Sequence, residues 1–383
     1  MSNPFQILNT DNLARTAVFT CEHGSFETPA FMPVGTKATV KGVDCERLKE
    51  TGAQITLVNT YHLWLQSGAD LIESMGGIHK FCGWKGPILS DSGGFQVFSL
   101  QEMRKITEEG VKFRSHLDNS KIFLSPEIAL DIQAKLGVDI AMVLDECPSS
   151  KLEYKYIEKS LELTLRWAKR SLDYAKSKNL KQNIFAITQG GLHADLRKKS
   201  AEALAEMDFP GYAIGGLSVG EGQSSMYEVL DYHPQQLPEN KIRYLMGVGT
   251  PKDIVYAISK GIDLFDCVIP TRSGRFGRAY ISGEEPYINI VNSEHKFSEK
   301  PVDSNCNCVC CRNYSRAYLR FLFKNSEMLG PQLLSIHNLT FYQDLIHNAR
   351  LAITEKRFTT FFDAEMSRWN NIKVKSANQE QLQ

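Results

Sequence analysis

Residues 244–268, YLMGVGTPKDIVYAISKGIDLFDCV, decide the fold class. Two short apolar runs, Tyr244–Gly249 and Leu264–Val268, enclose a segment that opens with Thr250-Pro251 and closes near Gly261. That is the pattern of an N-cap, a proline at the first helical position and a glycine stop. The runs themselves are continuously apolar rather than alternating, as strands buried on both faces of a parallel sheet are. Six more such runs precede them: Phe31–Gly35, Ile55–Thr60, Pro87–Asp91, Ile140–Asp145, Ile184–Gln189 and Tyr212–Gly216. Helical segments intervene, one capped by Ser125-Pro126 and ended by Gly137, another spanning Leu152–Lys178. Eight strands with helices between them predict an α/β fold, a TIM-type (β/α)8 barrel. An open doubly wound sheet is the alternative, but no glycine-rich phosphate fingerprint follows the first run.

Two interruptions break the alternation. Residues 108–124 alternate around Asp118-Asn119 and predict a hairpin inserted after the third strand. Past about residue 280 the barrel pattern stops. The expected division is a barrel over 1–280 and a cysteine-rich C-terminal subdomain over 281–383, its helices packed on the barrel.

Composition excludes little. Hydrophobic content of 42% in 383 residues supplies a sizeable core. Lys+Arg and Asp+Glu both number 44, so net charge gives no sign of a nucleic-acid partner, and local clustering must supply one. The N-terminus lacks a signal pattern and no apolar run approaches the roughly 18 residues of a membrane span. The expected address is the cytoplasm, where nine cysteines do not imply a disulfide framework.

Barrel enzymes gather their chemistry at the C-terminal ends of the strands. Asn59, Asp91, Asp145, Gln189, Gly216, Gly249 and Asp266 stand at or near those ends. Any one of them alone reads as an ordinary loop-entry residue. Three aspartates converging on one rim repel one another, and folds keep such groups mainly where function uses them.

Four of the cysteines fall within six residues. Cys306, Cys308 and Cys311, with His337 after 25 intervening residues, offer the soft four-ligand set of a closed structural zinc site. Cys310 could replace Cys311 as the third thiolate, and the spacing leaves that choice open. Arg312, Arg316, Arg320 and Lys324 then recur every four residues as one helical stripe, and no acid occurs from Ser304 through Ser326. A second acid-free stretch, Cys267–Gly283, carries Arg272, Arg275 and Arg278 beside Asp266. A charge stripe is commonly a solvated face; without acidic partners it fits a polyanion whose phosphates would position it.

Several motifs taken together resemble one family. They are Ser90-Asp91-Ser92-Gly93-Gly94-Phe95-Gln96, Asp145-Glu146-Cys147, Gln189-Gly190, Gly215-Gly216-Leu217, Phe265-Asp266-Cys267-Val268, Pro270-Thr271-Arg272-Ser273-Gly274-Arg275 and the cysteine–histidine set. In order and over essentially the whole chain they are similar to the bacterial-type queuine tRNA-ribosyltransferases, the tRNA-guanine transglycosylases. The resemblance implies a zinc-bearing barrel, one structural Zn2+ per subunit, a homodimer and exchange of a tRNA wobble guanine for a 7-deazaguanine base.

Residue by residue, it casts Asp266 as nucleophile, forming a covalent ribosyl-aspartate as a retaining glycosidase would. It casts Asp91 as general acid/base. Asp145, Cys147, Gln189, Gly216 and Leu217 would bind the base, with Phe95 and Met246 sandwiching its ring. Arg272, Arg275, Arg312, Arg316 and Arg320 would meet the anticodon loop of tRNAs with a GUN anticodon (Asp, Asn, His, Tyr). Phe95 replaces a tyrosine common in bacterial members, keeping the stacking face and losing a hydroxyl. Cys147 and Val219 match the bacterial choice, which favours 7-aminomethyl-7-deazaguanine over queuine.

Rivals remain. The family's non-catalytic partner subunit lacks parts of the catalytic set that this chain retains. Archaeal relatives carry extra RNA-binding domains, not expected in the about 45 residues after His337. A zinc-stabilised barrel glycoside hydrolase would use two carboxylates but would not need the arginine clusters.

Overall fold

The computed structural model describes residues 3–66, 68–96, 104–283 and 285–370. Residues 284 and 371–383 of the expected C-terminal module lie outside the described residues. The chain opens on an antiparallel sheet that the apolar runs did not announce: β1 (Phe5–Asp11), β2 (Ala14–Cys21) and β3 (Gly24–Thr28). Asn12 makes the first turn in the left-handed region, at φ 54°, and Gly24 borders the second. The barrel follows as β4 (Ala30–Pro33), β5 (Thr56–Val58) and β6 (Ile88–Ser90). A three-stranded insertion comes next, β7 (Lys105–Ile106), β8 (Val111–Arg114) and β9 (Lys121–Leu124). It contains the expected hairpin, with Asn119 at φ 60° in the turn, and one further short strand. The barrel resumes with β10 (Ile140–Met142), β11 (Asn183–Thr188), β12 (Gly211–Ile214), β13 (Ile242–Leu245) and β14 (Leu264–Cys267).

All eight predicted runs are strands, and all pair in parallel in chain order around one sheet. The ring closes where β14 pairs with β4, and where Val34 bridges Leu57 with the Gly35 N–H donating to the Leu57 carbonyl at 2.7 Å. The helix caps also stand as read. The Ser125 side chain accepts from the Ile128 N–H, with Pro126 following and Gly137 left-handed at the end. Thr250 and Asp253 form a reciprocal capping box ahead of the helix Pro251–Ser259.

The N-terminal sheet seals the mouth at the strands' starting ends. Arg15 grips Asp263, just before β14, through Nε at 2.9 Å and Nη2 at 2.6 Å. Asp139, just before β10, accepts from the His23 and Ile88 N–H groups, both at 2.9 Å. Phe19 meets Phe185 edge-on at 5.6 Å. The opposite mouth is left for the site.

After β14 come the helix Ile269–Arg275 and the hairpin β15 (Arg278–Tyr280) and β16 (Tyr287–Asn289). The helix Leu329–Thr354 returns to the barrel and is apolar nearly all round, so it is buried along most of its length. It packs against β1, β2, β4 and the helix Ile269–Arg275. Its side chains reach barrel carbonyls, Tyr342 bonding that of Gly249 and Gln343 that of Phe31. A second, smaller core of Ala279, Ile290, Val302, Leu319, Leu322, Leu333 and Leu334 lies under the cysteine region.

Gly274 allows the two helices to touch. A Cβ there would lie 2.8 Å from backbone atoms of Leu334 and Ser335, which cannot rotate away as a side chain could. Gly274→Ala should therefore lower stability by about 1–3 kcal/mol through overpacking. Denaturant titration would measure this, and an unchanged midpoint would refute it.

Among the described residues no helix is long and apolar enough to cross a membrane.

Candidate active site and metal centre

The catalytic candidates meet at the rim that the fold leaves open. Asp266 shares the inward face of β14 with Leu264, which is level with Tyr244 on β13. The Tyr244 hydroxyl donates to Asp266 Oδ1 at 2.6 Å, and the Gly247 N–H donates to the same oxygen at 2.7 Å. Oδ2 is thereby left for other chemistry. Burial raises the Asp266 carboxyl above the ordinary carboxylate range, against the lowering by these two donors.

Asp91 follows β6 directly. Its Oδ1 accepts from the Thr60 N–H at 3.0 Å and the Gly93 N–H at 3.1 Å, and its Oδ2 from Asn59 Nδ2 at 2.5 Å. Burial pushes this carboxyl up to about 7, and the charge of Asp266 adds to the rise. The two carboxyls thus feel each other, as the convergence of strand ends required.

Asp145 lies just past β10, 6% exposed. Its Oδ2 accepts from Gln189 Nε2 at 2.7 Å, and its carboxyl is pushed up to about 6 by burial, with Glu146 adding. Cys147 packs against the same group. Burial and the Asp145 charge push its thiol up to about 12, while the Gln189 amide, the Arg197 charge and the Gly216 N–H oppose them. Gly216 is left-handed at φ +68°, and a Cβ there would fall 2.4 Å from Gln189 Oε1, so only glycine fits. Leu217 is buried beside it. Asp145, Cys147, Gln189 and Gly216 are therefore one polar constellation with both donors and acceptors.

Phe95 and Met246 follow two strands of the same rim. Phe95 is 52% exposed and Met246 half-buried. They follow β6 and β13, which stand opposite each other in the ring.

Reading the sequence missed three contributors, Thr60, Tyr244 and Glu221, and named Asn59 only by its place at a strand end. Asn59 and Thr60 clamp Asp91, Tyr244 clamps Asp266, and Glu221 accepts from the Ser218 and Val219 N–H groups in the loop after β12. Tyr244 reads as a strand residue, and only the barrel's curvature sends its hydroxyl to the neighbouring strand.

The arginine stripe differs from the expectation. Arg312 belongs to the short helix Val309–Asn313, whereas Arg316 begins a separate helix, Arg316–Lys324, capped by Ser315. Arg316 spends its guanidinium on the Pro301 and Val302 carbonyls, each at 2.8 Å, and Arg320 Nε bonds the Asn292 carbonyl at 2.9 Å. The break has a local cause: a hydroxyl at 315 caps a new helix start more favourably than it continues an old helix. Arg272 and Arg312 are exposed, and Arg275 is half-buried with its Nε on the Thr271 carbonyl.

Cys306, Cys308, Cys311 and His337 bring their ligand atoms within 4.8 Å of one another. His337 comes from the long returning helix. Its Nδ1 faces the sulfurs of Cys311 and Cys308 at 3.3 and 3.6 Å, and its Nε2 bonds the Tyr280 carbonyl at 2.6 Å. That outer bond fixes the tautomer that leaves Nδ1 free to ligate. Backbone N–H groups of Cys311 and Asp303 point at the sulfurs of Cys308 and Cys311. The donor set could hold a metal ion and is consistent with zinc. Cys310 is instead buried in the small core, which resolves the register in favour of Cys311.

The comparisons with known proteins agree with this geometry. The family described as Queuine tRNA-ribosyltransferase matches residues 10–371. The chain is 53% identical to a Queuine tRNA-ribosyltransferase of Staphylococcus aureus (strain bovine RF122 / ET3-1) over 348 residues, covering 91% of each chain. The corresponding protein of strain JH9 matches to the same extent. With a closed eight-stranded barrel, three rim carboxylates and a Cys3His cluster, this chain belongs to the queuine tRNA-ribosyltransferase family, the tRNA-guanine transglycosylases, which are tRNA-modifying pentosyltransferases.

Proposed function

We propose that this chain exchanges the guanine at wobble position 34 of GUN-anticodon tRNAs (Asp, Asn, His, Tyr) for 7-aminomethyl-7-deazaguanine, through a ribosyl group held covalently on Asp266. The observation that carries the reading is the set of carboxylates at the strand ends: Asp91 clamped by Asn59 and Thr60, Asp266 held through one oxygen by Tyr244 and Gly247, and Asp145 paired with Gln189.

Asp266 Oδ2 attacks C1′ of the nucleotide as the bond to guanine N9 breaks, and the electron pair leaves with the purine. Asp91, held high enough to carry a proton near neutrality, protonates the departing base and then accepts a proton from the incoming one. Tyr244 and Gly247 bond the oxygen that does not attack and keep the carboxylate aimed. Asp145 accepts from the purine's N1–H and exocyclic amine, and Gln189 with the Gly216 N–H reads its carbonyl edge. Phe95 and Met246 cover the ring's faces, and Leu217 packs beside it. Cys147 and Val219 favour the small aminomethyl base over queuine. Competition between the two bases for incorporation tests this choice, and a decisive preference for queuine would overturn it.

Cys306, Cys308, Cys311 and His337 would hold one structural Zn2+, which would tie the cysteine loop to the returning helix. In the same reading the chain divides near residue 280 into a catalytic barrel and a zinc-binding module. Arg272, Arg275 and Arg312 contact the anticodon loop, while Arg316 and Arg320 shape that surface. The chain works in the cytoplasm, where its tRNA is, and as a homodimer. The exposed Phe297, Tyr318, Phe321 and Met328 on the module support a partner surface.

The direct test is incorporation of labelled guanine into unmodified tRNA, with the covalent complex trapped on a denaturing gel. Binding without exchange would leave a non-catalytic RNA-binding protein. Exchange should peak between about pH 6 and 7. Below that window Asp145 is protonated and loses its acceptor, and above it Asp91 has lost the proton that guanine needs. Asp91→Asn should remove the alkaline limb.

Stability should run with the opposite economy. Both carboxyls are raised in the folded state, so their contribution is fully present below about pH 4 and is lost as pH rises through about 6 for Asp145 and about 7 for Asp91. The slope is at most about 1.4 kcal/mol per pH unit for each group.

A further inference from the structure

Arg197 has no role in the mechanism above, yet it is among the most deeply buried charges in the molecule. It sits on the helix Ala194–Glu206, 0% exposed, and no carboxylate bonds it among the described residues. Its Nε donates to the Gly191 carbonyl at 2.8 Å and its Nη1 to that of Thr188 at 3.3 Å. Its Nη2 is a buried donor with no partner among the described residues. A cation kept in the interior on two carbonyls, with a third donor unused, is expensive unless that donor is needed.

The acceptor that lacks a partner stands next to it. Gln189 Oε1 is buried and unbonded, while its Nε2 donates to Asp145 Oδ2. Both orphaned atoms flank Gly216: a Cβ there would lie 2.4 Å from Oε1 and 3.4 Å from Arg197 Nη2. The absence of a side chain at 216 leaves the space between them open.

We propose that Arg197 is a specificity-positioning residue, whose Nη2 takes up Gln189 Oε1 when a base is bound and so fixes which edge of the amide faces the pocket. An amide can present either its oxygen or its NH2. With Oε1 held by the guanidinium and one N–H by Asp145, the remaining N–H is directed at the base. The constellation then offers a donor beside an acceptor, the complement of a purine with a 6-oxo group and an N1–H. A 6-amino purine would set donor against donor there. This deepens the transglycosylase reading and rests on it.

The test is calorimetric binding of guanine and of 2,6-diaminopurine, which differ at position 6, to the full chain. Wild type should prefer guanine by about 100-fold or more, since a site built to hydrogen-bond rejects analogues that cannot. Arg197→Met should lower that preference at least about tenfold while thermal melting shows a folded chain, and Arg197→Lys should restore most of it. A merely structural arginine would lower the melting midpoint and leave the ratio unchanged. A folded Arg197→Met chain with the wild-type ratio overturns the proposal alone. A wild-type chain that binds neither purine overturns the base-exchange reading and the proposal with it. Should Arg197→Met not fold, a structure of wild type with guanine bound decides the matter. Nη2 should then lie about 3.0 Å from Gln189 Oε1. Nη2 bonded instead to the Tyr232 hydroxyl, another buried atom without a partner, would refute the proposal.

Discussion

Asp266→Asn should reduce guanine exchange by about 1,000-fold or more and abolish the tRNA adduct on denaturing gels. The substitution is nearly isosteric, and its carbonyl oxygen can still accept from Tyr244 and Gly247, so folding and base binding should persist. What disappears is the anionic oxygen that attacks C1′. An amide is a poor nucleophile, and the oxocarbenium-like centre would have no carboxylate to capture it. Asp91→Asn should slow exchange by a smaller factor, about 100-fold, because water can replace a proton donor more readily than a nucleophile. The ordering of the two effects is itself a check. Exchange at the normal rate by Asp266→Asn, or a larger loss at Asp91, would assign the roles wrongly.

The second large effect concerns the cysteine–histidine cluster. Purified chain should carry about one equivalent of zinc by atomic emission, and Cys308→Ser or exhaustive chelation should remove it. Loss of the metal should unfold the cysteine region, because its own core is small and rests on Cys308, Cys310 and a few aliphatic side chains. Structural zinc contributes folding free energy of about 10 kcal/mol in isolated modules, far more than that core can replace. His337 transmits the damage, since it lies on the helix that also covers β4 and bonds the Tyr280 carbonyl. The melting midpoint should fall by about 10 °C or more, and tRNA affinity by about 100-fold. Guanine binding at the barrel rim, which uses none of the four ligands, should weaken much less. Unchanged melting after complete metal removal would show that the cluster has no structural role.

Much of the molecule could be read before folding, for specific reasons. A strand buried on both faces must be apolar throughout, and a helix in an α/β unit must be started and stopped, so Thr250-Pro251 and Gly261 mark the unit around YLMGVG and LFDCV. Barrel geometry then places the residue at each strand's end on one rim. This is why Asp91, Asp145 and Asp266 could be named together without coordinates. The ligand set was legible because thiolates that cluster so tightly have few other uses.

Other features depend on contacts between distant segments, which local pattern does not encode. The strands β1 to β3 mix polar residues among their apolar ones, unlike the barrel runs, and their purpose is visible only where Arg15 meets Asp263 across the barrel's lower mouth. Cys310 and Cys311 are neighbours of equal chemistry, and the turn of one short helix separates them, burying one and aiming the other at His337. The arginine spacing was real, but Ser315 starts a new helix within it, and backbone carbonyls claim Arg316. By itself the sequence determined the eight strands, the three rim carboxylates and the metal-ligating residue types, because periodicity, capping and donor chemistry are local properties. Only the tertiary structure decided which oxygen of Asp266 is left free and which cysteine turns inward. It also brought the Arg197 guanidinium, whose Nη2 has no partner among the described residues, beside Gln189, because burial and hydrogen-bond partners are set by segments far apart in the chain.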